Sequence, residues 1–105
     1  MPSIEPEVWK ARRRGGYSEF LRIPPMSVGV YVLAVGAVDP QTPHGEDEIY
    51  YVVRGHGRLR NGDEDAEVNP GDVLYVRARQ DHHFHSITEE LVLLVVFAPA
   101  ERATG

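Results

Sequence analysis

Cysteine is entirely absent from the sequence. This absence excludes a disulfide scaffold and a thiolate metal site, and it favours a reducing cytoplasm. Basic residues are also few, since 11 Lys and Arg stand against 16 Asp and Glu for a net charge of -5. Nucleic acids and anionic membranes need a basic footprint, so neither is an expected partner. The longest apolar run, Leu91 to Ala98, is too short to span a bilayer, and the N-terminus has no apolar stretch typical of a secretory signal.

The chain length allows a single domain with one core. At 105 residues it is long enough to enclose one hydrophobic interior but too short for two. The first residues predict a short helix over 3–14, with charges matched to the helix dipole. Its cues are an N-cap serine, acids in the first turn, arginines in the last turn and glycines after it: Ser3, Glu5, Glu7, Arg12 to Arg14 and Gly15-Gly16.

Short runs rich in valine, leucine and aromatic residues begin at residue 27 and are separated by turn residues. The predicted strands cover 27–38, 48–54, 57–60, 66–68, 72–77, 82–87 and 91–98, with Thr88-Glu89-Glu90 connecting the last two. Seven or so short strands with no helix among them predict an all-β antiparallel sandwich or small barrel. We therefore divide the chain into an N-terminal helix and extended arm (1–26), a β-barrel (27–99) and a C-terminal tail (100–105).

Two of these strands are apolar on both faces, which bears on association. Residues 27–38 and 91–98 can each place only one face in a barrel interior. The short helix, with Val8 and Trp9 as its only large apolar side chains, looks too small to cover the remaining faces. Because a soluble monomer seldom exposes such patches, we predict a homodimer of two-fold symmetry built from outer-face strand residues.

The stretch PHGEDEIYYVVRG, residues 43–55, places a histidine and three acids where an apolar strand begins. The side-chain period of a strand puts His44, Glu46, Glu48, Tyr50 and Val52 on one face. If that face is interior, an unpaired ionised carboxylate costs roughly several kcal/mol unless a cation neutralises it.

A second histidine cluster, Asp81-His82-His83-Phe84-His85, begins another strand, in which His82 and Phe84 face opposite to His83 and His85. One imidazole from each strand and one carboxylate can form a facial triad with positions open for water, oxygen or substrate. His44, Glu48 and His82 can supply this triad. Glu46 shares the face of Glu48, and a one-residue bulge would exchange the two as ligands.

Residues 39–99 resemble a cupin of the small, single-domain conserved-barrel type. The first cupin motif has two histidines one residue apart, then a glutamate, and a glycine seven residues later. Glu48 and Gly55 fit that last interval, which favours Glu48 over Glu46 as ligand, and His44 falls at the second histidine. Thr42 stands at the first histidine and, as a neutral hydroxyl, is not an expected ligand. In the second motif the expected glycine, Pro-x-Gly turn, histidine and later asparagine correspond to Gly71, Arg77-Ala78-Arg79, His82 and Ser86.

The resemblance implies a jelly-roll-like β-barrel with a metal held inside it near one mouth. It implies iron, manganese, zinc or nickel as the divalent transition metal, and a dioxygenase-like or isomerase-like enzyme acting on a small organic molecule. Glu46, unneeded as a ligand, would be the catalytic base. Tyr50 and Phe84 would line the substrate pocket, and Arg77 or Arg79 can clamp a substrate carboxylate beside the last ligand. The alternative is a non-catalytic module that binds a small molecule or a metal.

Overall fold

A computed structural model describes residues 3–41 and 43–101 of the chain. It contains one helix, α1 (Glu5–Arg13), followed by six strands. The strands are β1 (Tyr17–Ile23), β2 (Met26–Leu33), β3 (Asp47–Asn61), β4 (Glu64–Val68), β5 (Val73–Val76) and β6 (His82–Ala98). No helix in the described part of the chain is long and apolar enough to cross a membrane.

All strand pairings are antiparallel, and the sheet order is β1-β2-β6-β3-β4 with β5 paired to β3. The two longest strands, β3 and β6, pair along almost their whole length, from Asp47 opposite Ala98 to Asn61 opposite His82. The sheet curls strongly enough that Glu48, near the start of β3, and His82, at the start of β6, lie 3.1 Å apart in the interior. This architecture confirms the predicted all-β, jelly-roll-like fold with one short N-terminal helix.

The strands are longer than the sequence predicts because the expected breaks are irregularities within continuous pairings. The 48–54 and 57–60 segments are both parts of β3, and the predicted connection Thr88-Glu89-Glu90 lies inside β6. The register between β3 and β6 shifts three times between Val52 and Arg58. A β-bulge bends a strand without ending its pairing, so the glycines at 55 and 57 mark a bend and not a turn.

The hydrophobic core has two parts, one on each side of the sheet. The larger part fills the interior of the curled sheet and contains Tyr50, Val52, Phe84, Leu93 and other buried residues of β3 to β6. The smaller part lies under α1 and contains Val8, Ala11, Val30, Val32 and Val92. The helix therefore covers more of the outer sheet face than its few apolar residues suggest.

Polar contacts also hold α1 on the sheet. The guanidinium of Arg12 makes a two-point contact with the carboxylate of Glu90 on β6, at 2.5 and 3.1 Å. Glu5 makes a similar contact with Arg54 on β3, the shorter of its two distances being 2.5 Å. Arg12 thus serves in packing the helix, in addition to matching its dipole.

Two details at the N-terminus differ from the sequence prediction. The residue before the helix is Ile4, and Ser3 lies one residue too early to be the N-cap, although its Oγ accepts a hydrogen bond from the Glu5 N–H. The predicted extended arm contains a true strand, β1, which pairs with β2. The sequence gives no pattern that predicts this edge strand, because most of its residues are exposed and only Ser18, a small polar residue, is buried.

Candidate functional site

A cavity of about 180 Å³ opens at one end of the curled sheet. Part of its wall is aromatic and apolar, formed by Tyr17, Tyr31, Tyr50, Val95 and Phe97. The remainder is polar and comes from Gln41, His44, Glu48 and Glu101. An apolar cavity with a few converging polar groups is the usual form of a small-molecule site.

The alternation of β3 explains how an acidic cluster faces this interior. Glu48, Tyr50 and Val52 are buried, while Ile49 and Tyr51 are exposed. Glu46, immediately before the strand, is also buried. The predicted sharing of one face by these residues is therefore confirmed.

The first residues of β6 alternate as the sequence predicts. His82 and Phe84 are buried, whereas His83 is exposed and His85 is half-buried on the outer face. There His85 contacts the carboxylate of Asp65 at 2.9 Å. Phe84 packs edge-on against the ring of Tyr50, with centroids 4.9 Å apart. Phe84, predicted to line the substrate pocket, is not among the described residues that line the cavity, and it packs instead against Tyr50, which does line it.

His82 and Glu48 form a buried pair. The distance from His82 Nε2 to Glu48 Oε1 is 3.1 Å, and the two side chains are 1% and 2% exposed. The atoms are close enough for an ion pair, but they are not aligned as a hydrogen bond, and Glu48 Oε1 has no hydrogen-bond partner. An unpaired oxygen on a buried carboxylate is unfavourable, so this atom requires a proton or a cation nearby.

Two further oxygens surround the same imidazole nitrogen. The hydroxyl of Tyr50 lies 3.2 Å from His82 Nε2, and Gln41 Oε1 lies 3.1 Å from it. On the other side of the ring, Nδ1 lies 2.9 Å from the backbone carbonyl of Gln80. Because a carbonyl only accepts hydrogen bonds, Nδ1 carries a proton, and a neutral His82 presents its Nε2 lone pair to Glu48, Tyr50 and Gln41, which line the cavity.

Burial and charge shift the pKa values of this group. Burial alone lowers the pKa of His82, but the contacts with Glu48 and the Gln80 carbonyl outweigh it, so the pKa of His82 is raised. Burial, with the negative charge of Glu48, raises the pKa of Tyr50 well above its ordinary value. Tyr50 therefore keeps its proton at neutral pH.

His44 lies near this pair but contacts a different carboxylate. Its ring centroid is 6.2 Å from that of His82, and its Nδ1 is 3.4 Å from Glu101 Oε2. The ring also packs edge-on against Phe97 at 5.2 Å. Burial, reinforced by the charges of Glu46 and Glu48, raises the pKa of Glu101 despite the opposing influence of His44.

The three predicted ligands line one region but do not form a closed metal centre. Within 3–41 and 43–101, no three His, Cys, Asp or Glu side chains are grouped closely enough to hold one ion. His82 and Glu48 converge, and His44 stands apart against Glu101. Thr42, at the first histidine position of the motif, lies outside the described residues.

The other predicted site residues lie in different surroundings. Glu46 is buried but is not among the described residues that line the cavity, and its Oε1 has no hydrogen-bond partner. Arg77 and Arg79 are exposed, and neither is among the described residues that line the cavity. The Arg77 side chain contacts Gln80, while Arg79 adopts a positive φ of 65° and donates its N–H to the His44 carbonyl. The structure thus gives the proposed arginine clamp no support, and the Arg79 backbone instead fixes the loop that carries His44.

Whether these residues suit a divalent cation can be tested on their donor atoms. Two ligands each about 2.1 Å from one ion, at about a right angle, are about 3.0 Å apart. The Glu48 and Gln41 oxygens both lie 3.1 Å from His82 Nε2, and Glu48 Oε1 is unpartnered. The Nδ1–H contact with a backbone carbonyl is the usual way in which a metal-binding histidine is oriented. The donor set at His82 and Glu48 therefore fits a metal ion.

Six residues of the cavity wall were not predicted from the sequence as site residues: Tyr17, Tyr31, Gln41, Val95, Phe97 and Glu101. Glu101 lies in the predicted tail, where nothing in the sequence indicates that the chain returns to the cavity. Its backbone N–H donates to Ser27 Oγ at 2.8 Å, and Arg22 donates to its carbonyl. The sequence gives only a weak indication that Gln41 belongs to the site, namely its position just before Thr42 and His44.

Comparisons with known proteins agree with this fold. The family model described as "Cupin domain" matches residues 29–97. An uncharacterised protein of Streptomyces coelicolor is 46% identical over 97 residues, which cover 92% of each chain. A crystal structure from Thermus thermophilus has a TM-score of 0.69 at 26% identity, over 82% of this chain and 86% of that one. A Klebsiella pneumoniae protein with a double-stranded β-helix domain has a TM-score of 0.78 at 20% identity, over 94% and 89%.

Proposed function

This chain belongs to the cupin family, and on that premise we propose that it is a metal-dependent enzyme acting on a small organic molecule. The substrate would bind in the 180 Å³ cavity, and the reaction would be of the oxygenase or the isomerase and lyase type. One observation carries the proposal: a carboxylate oxygen of Glu48, buried and without a hydrogen-bond partner, lies 3.1 Å from His82 Nε2 at the cavity.

The residues that would hold the metal are His44, Glu48 and His82. A neutral imidazole and a carboxylate suit iron, manganese, zinc or nickel. When bound, such a metal supplies Lewis acidity or activates oxygen. His44 is now turned toward Glu101, and both residues line the cavity, so its imidazole is available on the side where the substrate would enter.

The remaining residues of the cavity would bind the substrate, and Glu101 together with the buried Glu46 would accept or hold protons. The rings of Tyr17, Tyr31 and Phe97 offer an apolar surface to a small organic molecule and exclude water from it. Glu46 is buried with an unpartnered oxygen, so it can accept a proton from the substrate as a general base. Glu101, whose pKa is raised, can hold a proton in the same region.

A second candidate function is a non-catalytic cupin module that binds a small molecule or a metal. It is favoured by the lack of a closed three-ligand group within the described ranges 3–41 and 43–101. In this alternative a protonated His82 neutralises Glu48, and the cavity binds its ligand by shape and apolar contact.

Metal analysis of freshly purified protein separates these functions. We expect about one equivalent of a transition metal per chain after extensive dialysis, because a buried imidazole and carboxylate hold an ion tightly. Elemental analysis by mass spectrometry gives both the identity and the amount. Substoichiometric metal that dialyses away easily would contradict the enzyme proposal and favour the binding module.

We also propose that the protein is a homodimer, and the structure indicates which surface would form the interface. Because α1 covers Val30 and Val32, the outer face of β2 no longer requires a partner. An apolar patch remains on the paired strands β3 and β5, where Ile49, Tyr51, Val73 and Tyr75 are each at least 43% exposed. Burying this patch against its copy would remove that surface from water.

Sedimentation equilibrium at micromolar concentration tests the dimer. We expect a mass near twice 11.8 kDa. Tyr51→Glu, in the middle of the patch, should give the monomer mass because it buries a charge in the interface. Val38→Glu, at a residue that is 87% exposed outside this patch, is the control and should remain dimeric. A wild-type mass near 11.8 kDa would show that the patch is tolerated in water.

A further inference from the structure

Gln41 occupies an unusual place at the proposed metal site, because three separate contacts fix its side-chain amide. Its Nε2 lies 3.0 Å from Asp39 Oδ2 and 2.9 Å from the hydroxyl of Tyr50. Its Oε1 lies 3.1 Å from His82 Nε2. An ionised carboxylate only accepts hydrogen bonds, so the amide nitrogen must face Asp39 and the amide oxygen must face His82.

Asp39 is held firmly enough to impose this orientation. It is 7% exposed and also accepts hydrogen bonds from the Phe84 backbone N–H at 2.9 Å and from the Tyr31 hydroxyl at 2.5 Å. These two contacts tie the loop before β3 to β6 and β2. The Gln41 oxygen is therefore positioned from behind by a buried carboxylate that has no contact of its own with His82.

Oxygen atoms of Gln41, Glu48 and Tyr50 converge on His82 Nε2, at 3.1, 3.1 and 3.2 Å. The His82 Nδ1 proton is directed to the Gln80 carbonyl, and the amide protons of Gln41 are directed to Asp39 and Tyr50. The Tyr50 hydroxyl lies 3.2 Å from both His82 Nε2 and Gln41 Oε1, and Glu48 Oε1 has no hydrogen-bond partner. Such a group of converging lone pairs is stabilised by a cation among them.

We propose that the side-chain oxygen of Gln41 is a metal ligand, completing with His82 and Glu48 the donor set that lacks the first histidine of the cupin motif. The inference rests on the proposed metal site and assigns to it a residue outside the motif. A donor set with two oxygen ligands is harder, in the sense of hard and soft metal ligands, than a donor set in which a histidine replaces the Gln41 amide. Carbonyl and carboxylate oxygens suit manganese, whereas imidazole suits zinc and nickel. The site should therefore hold manganese better, relative to zinc, than its histidine counterpart does.

The test uses the full chain, stripped of metal by a chelator and titrated with Mn²⁺, Zn²⁺ and Co²⁺ separately. Gln41→Met keeps the side-chain volume but removes the oxygen, and it is expected to weaken Mn²⁺ binding about tenfold or more. It should also change the visible absorption spectrum of bound Co²⁺, which reports the ligand set directly. Gln41→His should restore binding and move the preference toward Zn²⁺. Thermal unfolding of each metal-free variant identifies any loss caused by misfolding, and Gln41→Ala serves as a second deletion if the methionine variant does not fold.

The matched control is Asn69→Ala, because the Asn69 side-chain oxygen contacts an imidazole, that of His56, at 3.0 Å on an exposed surface. This variant should bind Mn²⁺ like the wild type and leave the Co²⁺ spectrum unchanged. If the wild type binds none of the three ions, the metal site itself is refuted, and the inference with it. If the wild type binds them and the folded Gln41 variant matches both its affinity and its Co²⁺ spectrum, only the role of Gln41 is overturned.

Discussion

Replacing His82 with alanine is expected to reduce bound metal about tenfold or more, and His44→Ala should have an effect of the same order. Outer residues of metal sites already contribute about 10- to 100-fold to affinity, and a direct ligand contributes at least as much. His82 should show the larger loss, because its Nε2 meets Glu48 Oε1 at 3.1 Å, while His44 must first leave Glu101. Metal content after dialysis, measured by elemental analysis, gives the result.

Two neighbouring histidines provide controls for this experiment. His83 is exposed and His85 contacts Asp65 on the outer face, so His83→Ala and His85→Ala should retain the wild-type amount of metal. Loss of metal in either control, together with full occupancy in His82→Ala, would place the ligand on the opposite face of β6. Equal occupancy in all four variants would mean that any bound metal lies elsewhere.

The side of each strand that faces the interior was predictable, because burial follows the two-residue period. The run from Glu46 to Val52 alternates buried and exposed as the sequence predicts, and so does the run from His82 to His85. Carboxylates on an otherwise apolar face are rare enough to attract notice in a sequence. The fold and the location of the polar cluster could therefore be inferred from pattern alone.

Strand ends and distant partners were less predictable, because they depend on tertiary pairing. Thr88-Glu89-Glu90 reads as a turn, yet β6 continues through it. Glu89 lies opposite His56, and Glu90 binds Arg12 of the helix. Local composition cannot show that a polar triplet remains paired to a strand some 30 residues away.

The residues of the cavity wall were also difficult to predict from the sequence. Gln41 and Glu101 reach His82 and His44 only because the loop before β3 and the segment after β6 both lie across the open end of the sheet. Their neighbours in sequence give no periodic pattern that would place either residue on an interior face. The side chains on regular strands could be placed from the sequence, whereas Gln41 and Glu101 could not, because their positions depend on how these segments fold back over the sheet.

The second large effect concerns Gly55, seven residues after Glu48, at the position where the cupin motif has a glycine. Its φ is +99°, a conformation that L side chains rarely adopt. A Cβ built on this residue would lie 2.1 Å from the backbone oxygen of Glu90 and 2.7 Å from Leu91 Cα. Both atoms belong to the backbone of β6, so rotation of a side chain cannot relieve the overlap.

Gly55→Ala is therefore expected to lower the free energy of unfolding by about 3 kcal/mol or more, since a strained backbone costs about 1–3 kcal/mol before any overlap is counted. Gly71→Ala is the matched control, because Gly71 has a similar φ of +92° and no atom within 4 Å of the added Cβ. Gly71→Ala should lower the free energy of unfolding only by the cost of the strained backbone. Urea unfolding of the two variants measures the difference between them. Equal losses would show that strand β6 moves aside for the methyl group. A larger loss at Gly55 would mean that the motif glycine keeps β3 against β6, the two strands that bring Glu48 and His82 together as a buried pair.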